Sequence, residues 1–179
     1  QRQMCIRDRI DDGTSTEETS RGAIGDIQYT IEQGNIDDDV VIIAGDNLFT
    51  YALKEYYDFY KKKNADCVCV KQFDDMEMIK QLGVALLDEN NKVIDLEEKP
   101  EHPKSTLASM GIYIFSWPVL KEALIRLKDQ PNCDFGKHII PYCHNKGDRL
   151  FAYEYNGYWK DVGTLSSYWE ANMELIDII

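Results

Sequence analysis

Between Val40 and Ala44 stand five consecutive apolar residues, four of them β-branched, bounded by Asp37-Asp38-Asp39 upstream and Gly45-Asp46-Asn47 downstream. A run so short, so branched and so sharply bounded predicts a strand buried on both faces of a parallel sheet. Its polar C-terminal end then lies where open α/β sheets bind ligands. The neighbouring periodicities agree with a layered α/β fold. Ala23, Ile24, Ile27 and Ile31 recur at near-helical spacing within residues 20–33, and Gly34 stops the pattern, so a helix feeds the strand. Leu53 to Lys63 predicts an amphipathic helix with a lysine-rich last turn, and Ala65 to Phe73 a second buried strand, which completes one β–α–β unit.

After Asp74-Asp75 the pattern leaves simple alternation. A short helix to Leu82 precedes two strand-like runs, Gly83 to Leu87 and Lys92 to Leu96, around Asp88-Glu89-Asn90-Asn91, which is a hairpin signal. Leu107 to Phe115 predicts another strand, and Pro118 opens a helix over Val119 to Lys128, where its missing N–H costs nothing. Leu150 to Tyr155 is strand-like and Leu165 to Ile178 closes the chain as a helix. With no internal repeat and no long linker, the chain reads as one α/β unit with an inserted hairpin. Gln1 to Arg9 has no periodicity and is expected to be a non-native leader, which leaves residues 10–179 for the fold.

Composition narrows the function classes. The 20 Lys+Arg against 32 Asp+Glu give a net charge of −12, which excludes a general nucleic-acid coat. No apolar run approaches the roughly 18–20 residues of a membrane span, and the first residues lack the apolar centre of a signal peptide. The expectation is a soluble cytoplasmic protein. Five cysteines, odd in number and without a CxxC pair, argue against a disulfide framework; Cys67 and Cys69, two apart on a strand, are expected to be buried thiols on one face. His138 and His144 are six apart and His102 stands alone, so no zinc site is expected.

Three polar clusters carry residue types that phosphate chemistry uses. In Gly45-Asp46-Asn47 an Asp after a buried strand can hold a magnesium ion, although an Asp in an ordinary strand-to-helix turn looks the same. In Glu97-Glu98-Lys99-Pro100 a carboxylate and an ammonium precede a fixed bend; the pair suits a sugar phosphate, or is a solvated charge run. In Gly157-Tyr158-Trp159-Lys160-Asp161-Val162-Gly163-Thr164 an Asp among aromatics suggests a ligand wall, with Thr164 as a plain helix N-cap the structural alternative.

Taken in order, GDN, EEKP, SMGIYIF, DFGKHIIP and GYWKDVGT followed by SYWEANMEL resemble the sugar-1-phosphate nucleotidyltransferases, from about Gly22 to Ile176. The later motifs are most similar to the glucose-1-phosphate adenylyltransferase branch, whereas GAIGDIQ and GDNLF are closer to thymidylyltransferase-like members. The resemblance implies a Rossmann-like, GT-A-like three-layer αβα fold with a mixed sheet. It also implies a reaction in which a nucleoside triphosphate and a sugar 1-phosphate, glucose 1-phosphate by the EEKP and SMGIY segments, give a nucleotide-sugar and pyrophosphate.

Carried over by position, Asp46 and Asp161 would hold Mg2+ from opposite sides of the crevice, and Lys99 would receive the phosphate of the sugar 1-phosphate. Glu98 would bond sugar hydroxyls, Ser109 and Gly111 would line the sugar pocket, and Gly22 would pack against the nucleotide base. No covalent nucleophile is required, since the attacking phosphate is already ionised and the gain comes from positioning and charge stabilisation.

Members of this family begin with a strand and a glycine-rich, arginine-bearing loop that cradles the triphosphate, and nothing before Asp12 resembles it. The chain is therefore expected to be a partial catalytic domain, with little turnover alone and with uncovered sheet edges. Its parent is expected to be a homo-oligomer without nucleic-acid or membrane partners. The competing function is a non-catalytic, sugar-nucleotide-binding regulatory subunit of the same fold, which can lose the residues that Asp46, Lys99 and Asp161 represent. A dinucleotide-dependent oxidoreductase would need a GxGxxG loop, and none is present.

Overall fold

The computed structural model describes residues 9–50, 52–131 and 133–176. In chain order its elements are α1 (Gly22–Gly34), β1 (Val40–Ile43), β2 (Asn47–Phe49), α2 (Leu53–Lys63), β3 (Asp66–Gln72), α3 (Met76–Ile79), β4 (Gly83–Leu87) and β5 (Val93–Glu98). There follow β6 (Leu107–Phe115), α4 (Trp117–Arg126), a π-helical turn (Phe135–Ile139) that runs into α5 (Ile140–Lys146), β7 (Leu150–Glu154), β8 (Trp159–Asp161) and α6 (Leu165–Ile176).

The nine apolar-rich residues of β6 form the axis of a mixed six-stranded sheet. On one edge β6 pairs antiparallel with β3, and β3 pairs in parallel with β7. On its other edge β6 meets β4 at Ala108 and β1 from Ile112 onward, and β4 forms the expected hairpin with β5. Between these contacts β6 bulges: Val68 of β3 faces Tyr113 while Val70 faces Ser109. Gly111, at φ +66°, turns the strand inside the bulge, in a conformation that L side chains rarely adopt. The bulge splits the sheet into a fork with β4 on one prong and β1 on the other.

Two apolar layers cover the sheet. Ile24 and Ile31 of α1, Leu120 and Leu124 of α4, and Phe135, Ile139 and Cys143 pack on one face. Tyr56 and Tyr60 of α2 pack on the other, over Cys67, Cys69, Met110, Ile112 and Ile114. Cys67 and Cys69 share that face as expected, and burial pushes the Cys67 thiol up to about 12. At the end of the sheet remote from the bulge, α4 begins under two foreign carboxylates. Ser116 N–H donates to Asp66 Oδ1 at 2.8 Å and Trp117 N–H to Asp39 Oδ1 at 3.1 Å, while Tyr60 donates to Asp39 Oδ2 at 2.6 Å.

Two expectations are corrected. β1 is not buried on both faces of a parallel sheet, because its partner is the antiparallel β6; β1 and β3 run in the same direction but flank β6 instead of pairing. Val40 and Ile42 pack on the core, whereas Val41 and Ile43 are 42% and 37% exposed. An apolar run records hydrophobicity, not the direction of the strand that satisfies its backbone. Second, Gly34 is the last helical residue of α1, and Asn35 in the left-handed region ends the helix. The leader expected at residues 1–9 lies, apart from Arg9, outside the described residues. Among the described residues no helix is long and apolar enough to cross a membrane.

Candidate functional site

The fork between β4 and β1 opens into a cleft of about 520 Å³, lined by Asp46, Glu98, Lys99, Ser109, Gly111 and Asp161 together. Gly22 does not line it. It borders a separate cavity with Leu127 and Lys128, and its neighbours Ala23 and Ile27 face the cleft instead.

Asp46 and Asp161 meet through a two-stranded ribbon too short for a strand period to show in the sequence. β2 and β8 pair antiparallel with Asn47 opposite Asp161, and Val162 N–H donates to the Asp46 carbonyl at 2.8 Å. Asn47 fastens the ribbon at both ends of its amide. Its Nδ2 donates to the Ala44 carbonyl at 3.1 Å, and its Oδ1 accepts the indole N–H of Trp159 at 2.5 Å. The backbone beyond Asp161 then folds back, and Gly163 N–H donates to Asp161 Oδ1 at 2.7 Å. A Cβ placed on Gly163 would stand 3.0 Å from Asp161 Oδ1 and 3.1 Å from Asp46 Oδ2, so both carboxylates reach one small hollow that only glycine leaves open.

The opposite wall comes from the end of β5 and the π-helical turn. The Glu98 carboxylate lies between two glycines: a Cβ on Gly136 would be 2.6 Å from its Oε2 and one on Gly83 3.0 Å. Half-burial raises the Glu98 carboxyl above its ordinary range and Asp134 adds to the rise, while Lys99 and Lys137 oppose it. Asp134 lines the same cleft and its Oδ1 accepts Lys137 N–H at 3.0 Å, capping the turn. Behind it Phe135 stacks on Tyr113, with centroids 4.7 Å apart. Burial lifts the Tyr113 phenol to about 12, and its hydroxyl lies 3.4 Å from Ser109 Oγ, which in turn accepts Gly111 N–H at 3.3 Å.

Lys99 follows directly, with an exposed side chain and a backbone at φ +50°, held there by its N–H to the Leu82 carbonyl at 3.0 Å. A lysine in the left-handed region costs on the order of 1 kcal/mol, the kind of local strain that clusters at functional sites. The strain turns the residue after β5 toward the cleft.

Among the described residues the lining thus sets four carboxylates, Asp46, Glu98, Asp134 and Asp161, against the ammonium of Lys99. A phosphate group entering such a cleft is repelled unless a cation screens it. Two carboxylates converging on one hollow fit magnesium, which takes one or two protein carboxylates and completes its shell with water and phosphate oxygens. Among the described residues no group of three or more His, Cys, Asp or Glu forms a closed cage of the structural-zinc kind.

Asp134, Tyr113, Asn47 and Trp159 join the site although they lie within motifs whose candidate roles fell on other residues. The signal for Asp134 was available: an Asp three residues before Lys137 and ahead of the helical spacing of Phe135, Ile139, Ile140 and Cys143 marks a capped turn. Thr164 caps as its structural alternative foresaw, accepting Ser167 N–H at 3.1 Å.

Comparison with known proteins places the chain among nucleotidyltransferases. The chain is 63% identical over 140 residues to a glucose-1-phosphate adenylyltransferase of Lachnospira eligens, covering 78% of this chain and 33% of that protein. It is 47% identical over 140 residues to the glucose-1-phosphate adenylyltransferase of Clostridium acetobutylicum, covering 77% of this chain and 37% of that protein. The chain therefore spans about a third of the length of the curated relatives it matches. A crystal structure of a Bacillus anthracis protein described as a glucose-1-phosphate thymidylyltransferase, in complex with a sucrose, superposes with a TM-score of 0.68 at 29% identity, over 82% of this chain and 59% of that one. That likeness carries the Rossmann-like character expected of the mixed sheet. The nucleotidyl transferase family matches residues 7–178, nearly the whole sequence, and the chain belongs to that family.

Proposed function

We propose that this chain is part of the catalytic domain of a sugar-1-phosphate nucleotidyltransferase that joins a nucleoside triphosphate to glucose 1-phosphate, giving a nucleotide-sugar and pyrophosphate. The observation that carries the reading is the convergence of Asp46 and Asp161 on the Gly163 hollow, across one cleft from Glu98 and Lys99. The names of the relatives at 63% and 47% identity favour ATP as the triphosphate.

In this reading Lys99 receives the phosphate of the sugar 1-phosphate as a point charge, and Glu98 and Asp134 accept hydrogen bonds from ring hydroxyls. The Tyr113–Phe135 stack closes the pocket beneath the ring, and Gly111 keeps its floor free of a side chain. Asp46 and Asp161 would hold Mg2+, which supplies charge neutralisation at the triphosphate. The sugar phosphate attacks the α-phosphorus in line and pyrophosphate leaves, and the chain contributes alignment and charge placement. The proposed setting is the cytoplasm, in a homo-oligomer with neither nucleic acid nor membrane as partner. A strand and glycine-rich loop upstream would cradle the triphosphate, and Ala23 and Ile27 of α1, which line the cleft where Gly22 does not, would face its base.

The test is pyrophosphate release by the complete protein, with each nucleoside triphosphate in turn and with glucose 1-phosphate or another sugar 1-phosphate. Release with ATP and glucose 1-phosphate above all other pairs supports the reading. Binding of a nucleotide-sugar without release from any pair favours the regulatory subunit instead.

A further inference from the structure

The four residues 155–158 connect β7 to β8, and their course decides where Asp161 stands. Tyr155 lies beneath the turn: a Cβ on Gly157 would fall 2.1 Å from its hydroxyl oxygen, so the backbone rests directly on that side chain. The Tyr155 hydroxyl donates to the Tyr158 carbonyl at 3.3 Å and lies 3.2 Å from Thr50 Oγ1, just past β2. From β3 comes a residue that the strand pattern does not call for. Lys71 ends an otherwise buried apolar run, and its Nζ donates to the Gly157 carbonyl at 2.7 Å. The ammonium lies 5.8 Å from the Tyr155 ring centroid and 6.0 Å from that of Phe73, whose edge meets Trp159 at 5.7 Å. None of the ion pairs among the described residues includes Lys71. Its charge is spent on one backbone carbonyl and two aromatic faces.

We propose that Lys71 is a positioning residue for the Asp46–Asp161 pair. Through Gly157 it fixes the turn from which β8 departs, and β8 carries Trp159 onto Asn47 and Asp161 onto the hollow beside Asp46. A charge-assisted bond to a carbonyl is stronger than a neutral one and is directional at the acceptor, so it restrains the turn where a leucine at position 71 would only cover it. Lys160, bonded to Glu174 at 2.6 Å and paired with Glu170 at 3.0 Å, restrains the same strand from the side of α6. The two lysines thus hold β8 from both sides without touching the carboxylates. The inference rests on the reading of Asp46 and Asp161 as the pair that holds a divalent cation.

Mn2+ titration followed by the electron paramagnetic resonance of the free ion, on the complete protein, tests it in wild type, Lys71→Met, Lys71→Arg and Asp161→Asn, each with a thermal melt. The expected result is a cooperative melt in every variant, loss of the site in Asp161→Asn, and about tenfold weaker Mn2+ binding in Lys71→Met, as removal of an outer-shell partner produces. Lys71→Arg, which keeps a charged donor, restores most of the affinity. Wild-type affinity in Lys71→Met, with the site lost in Asp161→Asn, would overturn the role of Lys71 and leave the cation reading standing. Binding that Asp161→Asn does not change would overturn both. Loss of the cooperative melt in both Lys71 variants would also overturn the inference, since the lysine would then hold the fold and not the ribbon.

Discussion

The indole N–H of Trp159 donates to Oδ1 of Asn47 across the β2–β8 ribbon, next to the position where Asn47 and Asp161 stand opposite each other. Trp159 is 6% exposed, so its donor has little access to water if that acceptor is removed. Asn47→Leu is expected to lower the unfolding free energy by about 1–3 kcal/mol, the cost of an unsatisfied buried donor, whereas Asn47→Asp keeps an acceptor and most of the stability. Urea denaturation of the two variants distinguishes them, and equal losses would contradict this account.

Gly163→Ala separates the site from the fold. The residue is exposed and its φ lies outside the left-handed region, so alanine is compatible with its backbone. The added Cβ would occupy the hollow at 3.0 and 3.1 Å from the two carboxylates. The melting temperature is expected to stay near wild type while Mn2+ affinity falls by at least about tenfold. Calorimetric titration beside a melt checks both halves.

Lys99→Gly is expected to move stability and function in opposite directions. Glycine relieves the φ of +50° and raises the unfolding free energy by about 1 kcal/mol. Loss of the ammonium raises KM for glucose 1-phosphate by roughly 10- to 100-fold, the range for a hydrogen bond to a charged group. A variant that is less stable than wild type, or that keeps its KM, would remove Lys99 from the role assigned to it.

Asp66 ties mild acid to stability at the remote end of the sheet. Burial lifts its carboxyl from 3.8 to about 6 against the pull of the Ser116 donors, with Asp148 and Asp39 adding to the rise. Between those values the folded chain holds a proton that the unfolded chain has released, so this contribution is full below about 3.8 and lost as pH rises through 6. Asp66→Asn still accepts the Ser116 N–H and carries no charge. It is expected to be more stable than wild type at pH 7.5, by on the order of 2 kcal/mol, and close to it at pH 4. Unfolding free energies at the two pH values check the sign.

The parts of the fold legible in the sequence were those where one residue type answers one physical demand. The amphipathic pattern with its lysine-rich last turn bounds α2 to Leu53–Lys63, and the apolar-rich run bounds β6 to Leu107–Phe115, both as expected. Asp46, Glu98, Lys99, Ser109, Gly111 and Asp161 were candidates through the resemblance of ordered motifs, and the structure brings these six into one cleft. The antiparallel partner of β1 was hidden because Val40 to Ile43 are apolar in either direction of pairing. β2 and β8, three residues each, are too short for a period of two to show. Asp134 was overlooked because its place in the cleft beside Glu98 brings two separate elements together, and no local pattern encodes that distance. Gly22 was carried over on its motif alone, and its φ of +66° at the start of α1 is a backbone role that a motif does not distinguish from a ligand contact.

In the proposed reaction Asp46 and Asp161 together hold the cation that lets two phosphates meet in an acidic cleft. That role is tested most directly by pyrophosphate release from ATP and glucose 1-phosphate, measured on the complete protein against Mg2+ concentration in wild type and Asp161→Asn. Release is expected to depend on Mg2+ and to fall by about a thousandfold in Asp161→Asn, a loss of transition-state charge stabilisation of about 4 kcal/mol. Release that persists in excess chelator, or that Asp161→Asn leaves unchanged, would contradict it.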